Sequence, residues 1–198
     1  MLQPDPDGLA RAVELLRQGE VIGFPTDTVY GLAALAGDDS AVRRVYAIKG
    51  RSLSQPLVLM PPPGTELVRW ADVDQRAAAY LERWWPGPLT VILPAAAGLK
   101  PPLVSAQART VGVRIPNHPI ALALLLAVGE PLATTSANRS GLRPALVPLD
   151  AAWLGGLAAV LDGGRAPGGR PSTLLDLSSE PARILREGPI GAAELGLC

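Results

Sequence analysis

In 198 residues this chain has one cysteine, one histidine, one phenylalanine and two lysines, and 18 basic side chains balance 18 acidic ones. Each scarcity narrows what the protein can be. Cys198 has no partner within the chain, so no internal disulfide forms, which suits a reducing compartment; a cytoplasmic location is expected. Cys198 and His118 cannot between them supply a Cys/His zinc site, and no metal ligand is assigned. Zero net charge gives no support to bulk polyanion binding, although a local basic patch stays open. The N-terminus lacks the basic-then-apolar order of a secretory signal. The longest apolar run, residues 120–128, falls short of the roughly 20 residues needed to cross a bilayer, so no membrane partner is expected. Gly-x-Ser-x-Gly, a Cys/His pair and His-Glu-x-x-His are all missing, and nucleophilic and zinc hydrolysis drop out with them.

What is present is an apolar, well-patterned chain. Hydrophobic residues make up 48%, enough for an ordered core, and neither a repeat nor a linker divides the sequence, so residues 1–198 are expected to form a single domain. Leu9, Ala12, Val13 and Leu16 recur at helical spacing, and Gly19 stops that helix. Asp39 or Ser40 caps a second helix carrying Val42, Val45 and Tyr46. Residues 75–85 form a third, ended by Pro86-Gly87-Pro88, and Asn117 caps a fourth that runs to Val128. Strands are predicted at 21–24, 57–60, 89–93, 111–115, 131–134, 158–161, 173–177 and 182–185. This alternation implies an α/β protein with a twisted mixed β-sheet flanked by helices. The polar motifs fall where predicted strands end, a common place for ligands in open α/β sheets. Residues 163–169, rich in glycine, read as a mobile surface loop without a P-loop pattern. The four tryptophans, Trp70, Trp84, Trp85 and Trp153, read as core and groove walls.

Three polar clusters stand out against this background. Pro25-Thr26-Asp27-Thr28-Val29-Tyr30-Gly31-Leu32 places two hydroxyls and a carboxylate directly after a strand. Such a corner can bind an amino acid's amine and hydroxyl, or it is a turn in which Asp27 bonds its own backbone. Tyr30 reads as a packed aromatic with a satisfied hydroxyl. Lys49 continues the stripe of Val42 and Val45 where an apolar residue would normally sit. Either it snorkels to water at a helix C-terminus, or it joins Arg51, Ser52, Ser54 and Gln55 in holding a phosphate or carboxylate. Thr134-Thr135-Ser136-Ala137-Asn138-Arg139-Ser140-Gly141 collects hydroxyls, an amide and an arginine after a strand, as an anion cradle or as a solvated turn. Arg114, inside an apolar strand, needs a carboxylate, a ligand or water, and Arg186 is similar, with Glu187 badly placed to pair with it. His118 reads as a helix N-terminal residue. The resulting site is one of cations, hydroxyls and amides, where catalysis rests on positioning and charge stabilisation.

Read in order, Pro25 to Leu32, Lys49-x-Arg51, Pro56-Leu57, Trp85-Pro86-Gly87-Pro88-Leu89-Thr90, Val113-Arg114-Ile115-Pro116, Ser136-Ala137-Asn138-x-Ser140-Gly141, Pro171-Ser172-Thr173 and Arg186-x-Gly188 resemble the linked motifs of the YrdC-like threonylcarbamoyl-adenylate synthases, from about residue 8 to 190. The resemblance implies a YrdC-like fold with a concave cationic cleft, in its short, single-domain form. It implies formation of threonylcarbamoyl-AMP and pyrophosphate from L-threonine, bicarbonate and ATP, with Mg2+ arriving through the phosphates of ATP. The product would serve threonylcarbamoyladenosine formation at position 37 of tRNAs, which makes tRNA and threonylcarbamoyl-transferase proteins implied partners. By the same resemblance Thr28, Arg114, Thr134 and Ser172 meet threonine, while Lys49, Arg51, Gln55, Thr110, Ser136, Asn138 and Arg186 meet the nucleotide. Lys49 and Arg51 carry the catalytic charge, and no general base is implied. Three places depart from the pattern: Ser52 replaces a frequent proline, Met60 stands where some relatives carry histidine, and Arg143-Pro144-Ala145 replaces a common Ser-Pro-Thr. Two other readings compete. One is an RNA-binding module for tRNA or ribosomal RNA without nucleotide turnover. The other is a carbamoyl-transfer domain like that embedded in hydrogenase-maturation proteins, which are much longer.

Overall fold

The computed structural model describes residues 1–99 and 109–197; Lys100 and Cys198 lie outside the described residues. In chain order the elements are α1 (Pro6–Arg17), β1 (Ile22–Phe24), β2 (Gly31–Leu35), α2 (Asp39–Lys49), β3 (Val58–Met60), a 3-10 turn (Leu67–Arg69), α3 (Gln75–Trp84), β4 (Leu89–Pro94), β5 (Thr110–Val113), α4 (Pro119–Val128), β6 (Leu132–Ser136), α5 (Pro148–Ala152), β7 (Ala159–Val160), β8 (Thr173–Asp176) and β9 (Arg183–Arg186).

Helices begin where a short acidic side chain takes the first unbonded N–H groups. Asp5 Oδ1 accepts from Gly8 N at 2.8 Å, just ahead of Pro6. Asp38, rather than Asp39 or Ser40, caps α2, accepting from Ser40 N at 2.9 Å and Ala41 N at 3.0 Å. One residue earlier in the chain, its carboxylate reaches both amides, whereas Asp39 already lies in the first turn. Likewise His118, rather than Asn117, precedes α4, and no side chain caps that helix; Pro119 instead removes one N–H that would need a partner.

The strands form one sheet in the order β7-β1-β2-β6-β3-β5-β4-β8-β9. The pairs β1–β7, β3–β5 and β4–β8 are parallel and the rest antiparallel, so the sheet is mixed, as the alternation implied. Central strand β2 is absent from the strands expected above. Its glycine and alanines carry little strand preference, and both its faces are buried, so no period-2 signal marks it. Leu32 and Ala34 pack with Val42 and Val45 of α2. Ala33 faces the other way, toward Leu16 of α1 and Leu124 and Leu125 of α4. Burying each of those leucines contributes about 1.5–3 kcal/mol.

The position of the cleft follows from the same alternation. Val91, Leu93, Val111, Val113 and Leu175 face the core that Ala77 of α3 joins. Their neighbours Thr90, Ile92, Thr110, Gly112 and Leu174 point to the opposite face and line the cleft, together with Val58, Met60, Thr134 and Ser136. Register sets these residues side by side: Thr134 opposite Val58, Val58 opposite Gly112, Gly112 opposite Ile92, Thr90 opposite Leu174, Leu174 opposite Arg186. The expectation of a site at strand ends therefore holds for the corner after β1 and fails for the floor, which is a sheet face. Arg114 also shifts: β5 ends at Val113, so Arg114 is the first residue beyond the strand, its N–H still donating to Leu59 O at 3.0 Å. Trp70, Trp84 and Trp85 pack against the core, but Trp153 is 87% exposed and walls neither core nor cleft.

Candidate active site

One end of the cleft is built around Arg114, which is 4% exposed. Its Nε donates to Gly87 O at 3.0 Å, its Nη1 to Thr28 Oγ1 at 3.0 Å, and its Nη2 pairs with Asp27 Oδ1. A guanidinium has five N–H groups, so two, one on each terminal nitrogen, are not used by these three partners. Burial holds the arginine's pKa below its ordinary value, with Asp27 offsetting only part of that. The hydroxyls beside it have a fixed direction. Thr26 Oγ1 donates to Val29 O at 2.6 Å, so in its 2.9 Å contact with Thr28 the proton comes from Thr28. Thr28 Oγ1 is thereby left to accept from Arg114. Asp27 is thus more than a turn residue: it is the counter-ion of Arg114, and its Oδ2 is buried without a partner.

The other wall is cationic. Arg51 is tied by Nη1 to Thr135 Oγ1 at 3.3 Å and by Nη2 to Pro56 O at 3.0 Å, while its Nε is buried and unpartnered. No carboxylate lines the cleft among the described residues. Lys49 does not snorkel to water; it is 4% exposed. Its Nζ is surrounded by Ser136 O (2.7 Å), Ser136 Oγ (3.2 Å), Asn138 Oδ1 (2.7 Å) and Asn138 O (3.3 Å). Burial, with Arg51 and Arg186 nearby, pushes its pKa down to about 8. Asn138 is fully used: its Oδ1 also accepts from Ser136 Oγ at 2.7 Å, and its Nδ2 donates to Arg139 O (2.9 Å) and Leu142 O (2.7 Å). Lys49 and Asn138 therefore form a layer behind Ser136, shaping the turn that presents it.

Arg186, at the cleft mouth, donates through Nε and Nη2 to Ser172 O at 3.1 and 2.9 Å and through Nη2 to Ser172 Oγ at 3.2 Å. Ser172 Oγ lies 2.7 Å from Thr90 Oγ1. Thr134 Oγ1 donates to Val58 O at 2.9 Å and sits between the two ends. Of the residues expected at the site, Thr28, Arg51, Thr110, Arg114, Thr134, Ser136, Ser172 and Arg186 line one cleft of about 240 Å³. Gln55 is exposed outside the lining, and its carbonyl accepts from Tyr46 Oη at 2.9 Å. Sequence reasoning left out Thr26, Thr90 and Thr135, which also line the cleft. All three stood inside motifs already singled out, and the period-2 pattern of β4 is what puts the Thr90 side chain on the cleft face.

The glycine-rich stretch 163–169 is laced to this site rather than loose. Tyr30 Oη donates to Gly164 O at 2.7 Å and accepts from Gly163 N at 3.1 Å, which satisfies the buried hydroxyl as expected. Ala166 N donates to Leu146 O at 2.8 Å and Gly169 N to Thr28 O at 3.0 Å. Gly168 packs so closely that a Cβ there would lie 2.6 Å from Asp27 O and 2.7 Å from Thr28 Cα.

The structure is thus an α/β protein with a mixed sheet, whose open face carries Arg114 with its counter-ion Asp27 at one end and Arg51 and Arg186, without a carboxylate partner among the described residues, along the rest of the cleft. The Sua5/YciO/YrdC family model, described as telomere recombination, matches residues 14–188, and the chain belongs to that family. A protein of Bacillus subtilis named threonylcarbamoyl-AMP synthase is 39% identical, covering 94% of this chain and 54% of its own length. One of the same name from Chromohalobacter salexigens is 37% identical, covering 90% of this chain and 97% of its own length. The crystal structure of Pyrococcus abyssi Sua5 complexed with L-threonine superposes with a TM-score of 0.91 at 34% identity, covering 96% of this chain and 57% of that one. The chain thus spans about half the length of some curated relatives and nearly all of another. Among the described residues, no helix is long and apolar enough to cross a membrane.

Proposed function

We propose that the chain is an L-threonylcarbamoyladenylate synthase, a nucleotidyltransferase that forms threonylcarbamoyl-AMP and pyrophosphate from L-threonine, bicarbonate and ATP. The observation that carries this reading is the division of one cleft between Arg114, with two N–H groups left for a carboxylate, and Arg51, with an unpartnered buried Nε and no carboxylate in the lining. Relatives bearing the synthase name support it, and their names do not favour an RNA-binding module without turnover.

Threonine places its carboxylate on Arg114, beside Thr28 and Ser172, with Thr134 between the substrates. Its amine, once deprotonated, forms a C–N bond with the bicarbonate carbon, and water leaves, giving a carbamate. A carbamate oxygen then attacks the α-phosphorus of ATP, and the bond to the β-phosphate oxygen breaks to release pyrophosphate. Arg51, Arg186, Thr110 and Ser136 hold the nucleotide and its developing charge. Lys49 and Asn138 act one layer behind, fixing Ser136 and adding positive charge. No residue is assigned as general base. Magnesium would accompany ATP on its phosphates and would offset their charge. Among the described residues no cluster of three or more His, Cys, Asp or Glu could hold a metal, so no protein cage is assigned. In the proposed pathway the product passes in the cytoplasm to tRNA through threonylcarbamoyl-transferase proteins.

The test is pyrophosphate release, expected to require threonine and bicarbonate together. Equal release without threonine, or none with all substrates present, overturns the reading.

A further inference from the structure

The segment of residues 85–90 has no part in the chemistry above, yet it touches both ends of the amino-acid subsite. The carbonyl of Gly87 receives Arg114 Nε at 3.0 Å, and the hydroxyl of Thr90 meets Ser172 Oγ at 2.7 Å. The segment itself is braced. Trp85 Nε1 donates to Leu89 O at 2.8 Å, Gly87 N to Ile115 O at 2.9 Å, and Thr173 N to Pro88 O at 2.9 Å. A Cβ on Gly87 would lie 2.3 Å from Trp84 O, so only glycine fits there.

Thr90 is 1% exposed and Ser172 4% exposed, and both line the cleft. The pair carries two hydroxyl protons, and one is used between the two oxygens. Ser172 Oγ also accepts from Arg186, at 3.2 Å. With Thr90 donating, Ser172 accepts two hydrogen bonds and keeps its own proton for whatever occupies the cleft. We propose that Thr90 is a positioning residue for the amino-acid subsite: its hydroxyl orients Ser172 so that the serine presents an O–H donor to the bound amino acid. This rests on the reading of that subsite given above.

The experiment measures pyrophosphate release against threonine and ATP for the wild type, Thr90→Val, Thr90→Ser, Ser172→Ala and the Thr90→Val/Ser172→Ala double variant, with thermal melts to establish folding. Thr90→Val keeps the shape and removes the hydroxyl. Loss of one hydrogen bond's worth of orientation raises the threonine KM about five- to tenfold, with the ATP KM and kcat little changed. Thr90→Ser, which keeps the hydroxyl, returns the threonine KM to within about twofold of wild type. Because Thr90 acts through Ser172, the double variant matches Ser172→Ala instead of adding to it. If Thr90→Val fails to fold, Thr90→Ala carries the same prediction. A wild-type threonine KM in Thr90→Val, a Thr90→Ser variant as impaired as Thr90→Val, or additive losses in the double variant overturn the proposal. Wild-type protein that needs no threonine overturns instead the reading on which it rests.

Discussion

Arg114 and Lys49 show two ways of keeping a cation inside a protein. Arg114 has a carboxylate behind it, with the two side chains 5% and 11% exposed. Removing one partner of such a pair leaves a buried charge uncompensated. Asp27→Ala is therefore expected to destabilise the fold by about 3–5 kcal/mol and to raise the threonine KM, because nothing then holds Nη2 on the Thr28 side. Asp27→Asn, which keeps an acceptor, loses less of each. Denaturant unfolding with threonine kinetics checks this, and a folded Asp27→Ala protein with an unchanged threonine KM contradicts it. Lys49 has carbonyl and amide oxygens around it instead of a carboxylate, and its pKa falls to about 8. A bound triphosphate favours the protonated lysine, so binding takes up a proton once the pH exceeds that value. ATP affinity is expected to hold steady up to about pH 8 and to weaken above it. Calorimetric titration from neutral pH upward reads the trend, and Lys49→Met flattens it. An unchanged wild-type Kd across that range contradicts the role.

Helices α1 to α4 and most strands could be read from apolar spacing, because their burial is one-sided or their ends carry proline and glycine; the five-residue α5 (Pro148–Ala152) is too short to show a helical period and is absent from the helices expected above. Strand β2 could not, since residues buried on both faces leave no alternation. Nor could the spatial pairing of Asp27 with Arg114 or of Thr90 with Ser172, since these partners lie 87 and 82 residues apart. Local pattern carries no information about contacts at such separations. Lys49 was legible as unusual, but whether it faced water or the interior depended on the 136–142 turn closing over it. The glycine-rich stretch 163–169 misled for a physical reason: its glycines answer a need for close approach to Thr28 as much as for mobility. Gly168→Ala is accordingly expected to push this stretch off the Asp27–Thr28 corner. A lowered Tm and a raised threonine KM would be measured together, while Gly164→Ala, where a Cβ meets nothing within 4 Å, gives only the strain of its positive φ. Equal effects of the two substitutions would argue against the close-packing account.

Across the whole molecule, the cleft draws its lining from β2 to β6, β8, β9 and the connections between them, so a ligand there touches most of the sheet. Occupancy at about 100 times Kd stabilises a folded protein by roughly 2.7 kcal/mol. For a chain of this size that is a rise in Tm of about 5–10 °C. ATP and threonine together are expected to raise Tm more than either alone, read by thermal melts. A melt indifferent to both contradicts binding in the cleft. Although the net charge is zero, Arg51 and Arg186 in the lining and Lys49 behind it make a local excess of positive charge, and among the described residues no carboxylate lines the cleft. On the proposed reaction, that wall attracts the leaving pyrophosphate much as it attracts the incoming triphosphate. The cleft alone therefore gives the reaction little direction. In that proposed reaction the same arginines would speed both directions, so how fast pyrophosphate is cleared elsewhere would set which one prevails.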